Sequence, residues 1–225
     1  DHRDLHSFPT RRSSDLVTNL HNPSGASLSP EDLKELHELV SEFGVPCLVD
    51  EVYIEFLPDW RERTALKHGD HFIVSASLTK VYGLSELACG WLAGPKEALK
   101  LCREYFALFS YHNSSPGIEM ACILSEHFER FFGSDRPLID RNREVLRKAA
   151  ESGSFSVRSC EHSPIVLVEL PSGMCDRALC DHAFDKYGLF LTPGSFFGLK
   201  GCIRVGLFKR RSEEHTSELQ SRQSI

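Results

Sequence analysis

SPEDLKELHELVSEFGVPCLVDE, from Ser29 to Glu51, carries the clearest signals of a helix followed by a buried strand. Ser29 offers a side-chain oxygen that can cap a helix, Pro30 suits the first helical position, and Glu31 and Asp32 place acid where the helix dipole is positive. Leu33, Leu36, Leu39 and Val40 are expected on one face, and Gly44 is placed to end the helix. Pro46 to Val49 then reads as a short buried strand that ends at Asp50 and Glu51. A helix delivered directly into a buried strand is half of a crossover unit, the connection that parallel strands require.

Upstream, Val17 to Leu20 reads as the end of a strand, followed by the turn HNPSG at His21 to Gly25. Downstream come a loop through Trp60, strands at Phe72 to Ser75 and Gly90 to Ala93, and a helix from Lys96 to about Phe109. This alternation predicts an α/β large domain with a mainly parallel sheet over residues 17–132. A helical stretch from Gly117 to Phe132 leads out of it, and Arg136 to Ala150 forms a second helix. The remainder, residues 133–210, carries strand-like segments at Phe155 to Arg158, Ile165 to Glu169, Phe190 to Thr192 and Cys202 to Leu207 around a helix near Cys175 to Tyr187. That pattern predicts a smaller α+β domain.

The two ends read differently. Asp1 to Leu16 lacks the periodicity of either helix or strand and Arg211 to Ser221 has little apolar content, which fits ordinary disordered termini, but both strings resemble in-frame translations of common short-read sequencing adaptors. Residues 1–16 and 211–225 are therefore expected to be foreign, with Arg222 to Ile225 as index sequence, and the body is expected to be a fragment.

With 225 residues, 41% of them hydrophobic, the chain can bury a substantial core. No apolar run approaches the roughly 20 residues of a membrane helix, and the first residues lack the basic-then-apolar layout of a secretory signal, so the cytoplasm is the default location. The net charge of -6 is mild and the basic residues are dispersed, which argues against a nucleic-acid partner. Eight cysteines, several inside apolar runs, suggest buried thiols, and their spacing does not predict a metal site or a disulfide framework.

Four motifs occur in order: HNPSG (His21 to Gly25), VDEVY (Val49 to Tyr53), SASLTKVYGLSELACGW (Ser75 to Trp91) and IRVGL (Ile203 to Leu207). Taken singly, each has an ordinary reading: Lys80 as a surface lysine, Asp50 as a strand-end acid, Tyr53 as a core tyrosine, Asn22 as a turn residue and Arg204 as a surface arginine. Taken together they resemble the class I/II aminotransferases, fold-type I pyridoxal-phosphate enzymes, over essentially the whole body, as the C-terminal two-thirds of such an enzyme.

The resemblance implies pyridoxal 5′-phosphate as cofactor, held as a Schiff base by Lys80, which then also serves as base and acid. It further implies that Asp50 pairs with the pyridine nitrogen, that Asn22 and Tyr53 donate to the 3′ oxygen, and that Ser77, helped by Thr79, binds the phosphate. Arg204, after the turn Pro193-Gly194-Ser195, matches the arginine that grips the substrate α-carboxylate. The apolar approach to Lys80 and the YGL after it favour a buried site for that lysine, and Glu51 is expected to be structural. One position departs from the pattern: eight residues after the lysine the family usually carries a phosphate-binding arginine, whereas this chain has Ala88.

The implied reaction is ping-pong transfer of an amino group between an α-amino acid and a 2-oxo acid, in a parent protein that is a homodimer. The phosphate loop and ring-stacking residue of the pattern fall upstream of Val17, so the chain taken alone is expected to be inactive. A lyase, decarboxylase or synthase on the same fold, or an aminotransferase-like sensor domain of a transcription regulator, would share most of these residues.

Overall fold

The computed structural model describes residues 15–109, 115–131, 136–153, 155–158 and 161–207. The adaptor-like strings fall outside them except for Asp15 and Leu16, and so do Phe132, Cys160 and Phe208 to Arg210. The chain divides into two units, Asp1–Asn22 with Ala26–Gly133, and Pro23–Gly25 with Ser134–Ile225.

In the first unit, α1 (Pro30–Phe43) begins where the sequence signals it. Ser29 Oγ accepts from Asp32 N at 3.1 Å and Asp32 Oδ2 accepts from Ser29 N at 2.7 Å, a reciprocal capping box. Gly44 closes the helix in the left-handed region at φ 62°, where glycine has no Cβ penalty. The buried stripe is Leu33 and Val40 with Leu36 beside them; Leu39 is 52% exposed, against expectation. At about 100° per residue, Leu39 lies about 240° around the helix from Leu33, off the core face.

Three strands run parallel, β1 (Asp15–Thr18), β2 (Cys47–Asp50) and β3 (Phe72–Ser77), and β4 (Gly90–Ala93) closes the sheet antiparallel to β3, in the order β1-β2-β3-β4. β1 starts two residues before Val17 because Asp15 and Leu16 pair in register with Cys47 and Leu48. Leu33, Val40, Cys47, Val49, Ala65, Phe72 and Val74 form the core beneath the sheet. Along β3 the character changes: Phe72 to Val74 are buried, whereas Ser75 to Ser77 are small, half-buried residues at the C-terminal end.

The expected loop through Trp60 is instead a run of short helical turns, Ile54–Phe56, α2 (Trp60–Arg63) and Ala65–Lys67. The buried carboxylate of Glu51 holds this run, accepting from Ala65 N and Thr64 Oγ1, each at 2.7 Å. After β4 come α3 (Lys96–Phe109), α4 (Ser115–Ser125) and α5 (Phe128–Phe131). The single helical stretch expected from Gly117 is thus broken, where Ser125 Oγ turns back to donate to Cys122 O at 2.6 Å.

In the second unit, α6 (Arg136–Ser152) and α7 (Asp176–Tyr187) accompany an antiparallel sheet in the order β5-β6-β8-β7, from β5 (Ser156–Arg158), β6 (Ile165–Glu169), β7 (Thr192–Pro193) and β8 (Cys202–Gly206). Ile165 to Val168 of β6 are all buried. The strand expected at Phe190 to Thr192 is displaced to Thr192–Pro193, since only those residues meet β8, opposite Arg204 and Ile203, and Phe190 is 72% exposed. The expectation of buried thiols holds for Cys47, Cys180 and Cys202, but Cys122 and Cys175 are exposed.

Candidate active site

The C-terminal edge of the parallel strands gathers polar groups, the edge where open α/β sheets bind ligands. Asp50 ends β2, in register between Thr18 of β1 and Ser75 of β3. Its Oδ1 accepts from Ser75 Oγ at 3.0 Å and from Val52 N at 3.3 Å, and its main-chain carbonyl accepts from Asn19 N at 2.8 Å. The carboxylate is therefore oriented from a neighbouring strand and from its own turn.

Asn19, which lies outside the four sequence motifs, is fully buried next to this carbonyl. Its Oδ1 accepts from Leu28 N at 3.1 Å, but its Nδ2 has no hydrogen-bond partner among the described residues. A buried amide donor left unpaired costs roughly 1–3 kcal/mol, so the turn after β1 holds Asn19 at the expense of stability. Sequence could not show this, because the orphaned atom exists only once β1 and the turn after it are folded.

Ser77 ends β3, with its Oγ 2.7 Å from Thr79 Oγ1 and accepting from Thr79 N at 3.0 Å. The chain then loops through Lys80, pinned by Leu78 N donating to Cys89 O and Leu84 N donating to Leu78 O, each at 3.0 Å. Leu78 and Val81 are buried, while Lys80 between them is exposed. The expectation of a buried lysine is thus corrected: its apolar neighbours anchor the loop inward and leave the amine facing out. Ala88 is also exposed, two residues before Gly90, which pairs in register with Ser77.

Tyr53 is buried three residues beyond Asp50, with its ring 6.4 Å from that of Phe56. Asn22 lies half-buried in the turn after β1. Glu51, only 3% exposed, has its carboxyl pushed up to about 7, chiefly by burial, with the bonds from Ala65 and Thr64 opposing that rise. Arg204 belongs to the second unit, on β8, where its Nη2 donates to Thr192 Oγ1 at 3.1 Å and its guanidinium lies 5.1 Å from the Phe197 ring centroid. In that unit Asp176 Oδ2 accepts from Ser195 N at 2.7 Å and holds the turn after Pro193.

The sheet edge of the first unit thus offers a fixed carboxylate, paired hydroxyls and an exposed lysine. That set fits a ligand with a basic ring nitrogen, a phosphate and an aldehyde.

Known proteins agree on the family. An arginine-pyruvate transaminase of Pseudomonas aeruginosa is 30% identical over 195 residues, covering 83% of this chain and 49% of that protein. A putative threonine-phosphate decarboxylase of Caldanaerobacter subterraneus is 25% identical over 211 residues, covering 88% of this chain and 54% of the relative. A PLP-dependent aminotransferase from Streptococcus suis shares the fold with a TM-score of 0.79 at 24% identity, over 88% of this chain and 53% of that one. The chain spans about half the length of the curated relatives it matches. The family description "Aminotransferase class I and II" matches residues 10–219. This chain accordingly belongs to the class I and II aminotransferase family, whose cofactor is pyridoxal 5′-phosphate.

Proposed function

We propose that the chain is the lysine-bearing part of an aminotransferase that moves an amino group between an α-amino acid and a 2-oxo acid. The observation that carries this reading is one sheet edge: Asp50, held by Ser75, ends the strand beside the one that runs into Ser77, Thr79 and Lys80. Bound there, pyridoxal 5′-phosphate supplies an aldehyde that captures amino groups and a protonated ring that accepts the electron pair released at the substrate Cα.

The chain's own residues do the rest. The Asp50 carboxylate keeps a proton on the ring nitrogen, Asn22 and Tyr53 donate to the 3′ oxygen, and the Ser77 hydroxyl, with Thr79 behind it, donates to the phosphate. The Lys80 amine tethers the cofactor and, once displaced, carries the proton from Cα. Arg204 offers a planar fork to the α-carboxylate, which orients the Cα–H bond for cleavage. Ala88 supplies no cation to the phosphate. In the whole protein, a cytoplasmic homodimer in this reading, the rest of the family's length completes the phosphate and side-chain pockets. Among the described residues, no helix is long and apolar enough to cross a membrane.

A second reading has support in the relatives' names, since a putative threonine-phosphate decarboxylase and a capreomycidine synthase match over comparable lengths. The products separate the two: a 2-oxo acid from the amino donor for transfer, carbon dioxide for decarboxylation. The test of the site itself is borohydride reduction of the chain with added pyridoxal phosphate, followed by peptide mass spectrometry. The label is expected on Lys80, and a label spread over other lysines would overturn the assignment.

A further inference from the structure

We propose that His37, Asp70 and His71 form a binding site for a divalent transition-metal ion of the zinc class, at the end of the sheet opposite the Lys80 loop. His37 Nε2 and His71 Nδ1 lie 3.1 and 3.0 Å from the same oxygen, Asp70 Oδ1, and the three ligand atoms all lie within 4.8 Å of one another. Ligands about 2.0–2.1 Å from a tetrahedral zinc ion stand roughly 3.3 Å apart, so the two nitrogen–oxygen separations already match a ligand edge. Two imidazoles and a carboxylate are an ordinary ligand set for such an ion, leaving one coordination position for water. Ser41 Oγ lies 3.3 Å from each ligating nitrogen, close enough to the open position to hydrogen-bond that water.

The positions are set by rigid elements. His37 and Ser41 lie one turn apart on α1. His71 immediately precedes β3, and its carbonyl accepts from Cys47 N at 2.9 Å. Gly69 completes the arrangement, because a Cβ there would fall 1.9 Å from His37 Cδ2, so the ring occupies space that only glycine leaves open. β3 has six residues and runs from this cluster toward Ser77, which puts roughly 20 Å between the two sites along the strand. Because 33 residues separate His37 from Asp70, no linear metal-ligand spacing reveals the cluster in the sequence.

The test is a ZnCl2 titration of the 225-residue chain by calorimetry, with the exposed thiols of Cys122 and Cys175 alkylated so that they cannot compete. One zinc equivalent is expected, and its affinity should fall at least about tenfold in His37→Gln, Asp70→Asn and His71→Gln. Asp70 is 85% exposed, so Asp70→Asn leaves the fold in place even if a histidine variant does not. Gly69→Ala should weaken binding as well, by displacing the His37 ring. With Co2+ in place of zinc, an intense visible band lost in Asp70→Asn would report the four-coordinate site. Zinc uptake unchanged in Asp70→Asn and both histidine variants, or absent from the parent, would show that the cluster is only hydrogen-bonded.

Discussion

Ser75 Oγ donates a 3.0 Å hydrogen bond to Asp50 Oδ1 between residues that face each other in register across two parallel strands. The hydroxyl thereby fixes the rotamer of the carboxylate proposed to meet the cofactor ring. Ser75→Ala should remove that bond and leave Val52 N as its remaining donor on Oδ1. A bond to a charged acceptor contributes roughly 1.5–3 kcal/mol, less where water replaces the donor, so a loss of about 1 kcal/mol in urea denaturation is expected. Borohydride labelling of Lys80 should also slow. An unchanged labelling rate would show that Ser75 does not position Asp50 for the ligand.

Glu51 gives a pH dependence with a defined sign. Burial lifts its carboxyl from an ordinary 4.5 to about 7. Between those values the folded chain keeps a proton that the unfolded chain has released, so stability is fully present below pH 4.5 and is lost as pH rises through 7. The contribution is at most roughly 3 kcal/mol. Glu51→Gln can still accept from Ala65 N while its amide bonds to Thr64, and it does not ionise. Its urea midpoint should vary less between pH 5 and 8 than that of the parent, with the variant more stable at the alkaline end. Parallel pH profiles would refute the raised value.

The same residue shows where sequence reading stops. α1 and β2 are legible because Ser29, Pro30 and Gly44 are local signals whose physics acts within one turn. The helical run from Ile54 to Lys67 is not, because it depends on a Glu51 side chain that reaches across 14 positions to Ala65. Asp50, Ser77 and Lys80 are legible as motif positions, yet the outward aspect of Lys80 follows from Leu78 and Val81 packing inward. Asn19 and the His37–Asp70–His71 cluster escape sequence reading altogether, since each is defined by tertiary neighbours.

Gly194 tests the packing of the second unit. A Cβ there would lie 2.3 Å from both Cys202 Sγ and Leu199 O, and 2.7 Å from Cys202 O. Two of these three neighbours are backbone carbonyls, which cannot swing aside. Gly194→Ala should therefore cost roughly 1–3 kcal/mol, and it should disturb the turn that Asp176 holds through Ser195 N. Denaturation followed by circular dichroism measures the loss. A fully tolerated alanine would mean that the turn has room the structure does not show.

Ala88 links backbone strain to the missing guanidinium. It adopts φ 45°, the left-handed region, with its N–H donating to Ser85 O at 3.1 Å to close a 3-10 turn. An L side chain pays roughly 1–2 kcal/mol in that conformation, part of which glycine recovers while losing chain entropy. Ala88→Gly should therefore stabilise the chain by about 0.5–1 kcal/mol in denaturant. Ala88→Arg meets the same backbone cost as alanine and should leave stability nearly unchanged, because the position is exposed. Its effect belongs to the ligand: Gly90, two residues on, pairs with Ser77, so a guanidinium at position 88 can approach the phosphate end of the site. One charge-assisted bond there should tighten pyridoxal phosphate about tenfold, read from the dissociation constant of the Lys80-dependent absorbance band. A tighter Ala88→Gly variant, or an Ala88→Arg variant with unchanged affinity, would place the phosphate away from this turn.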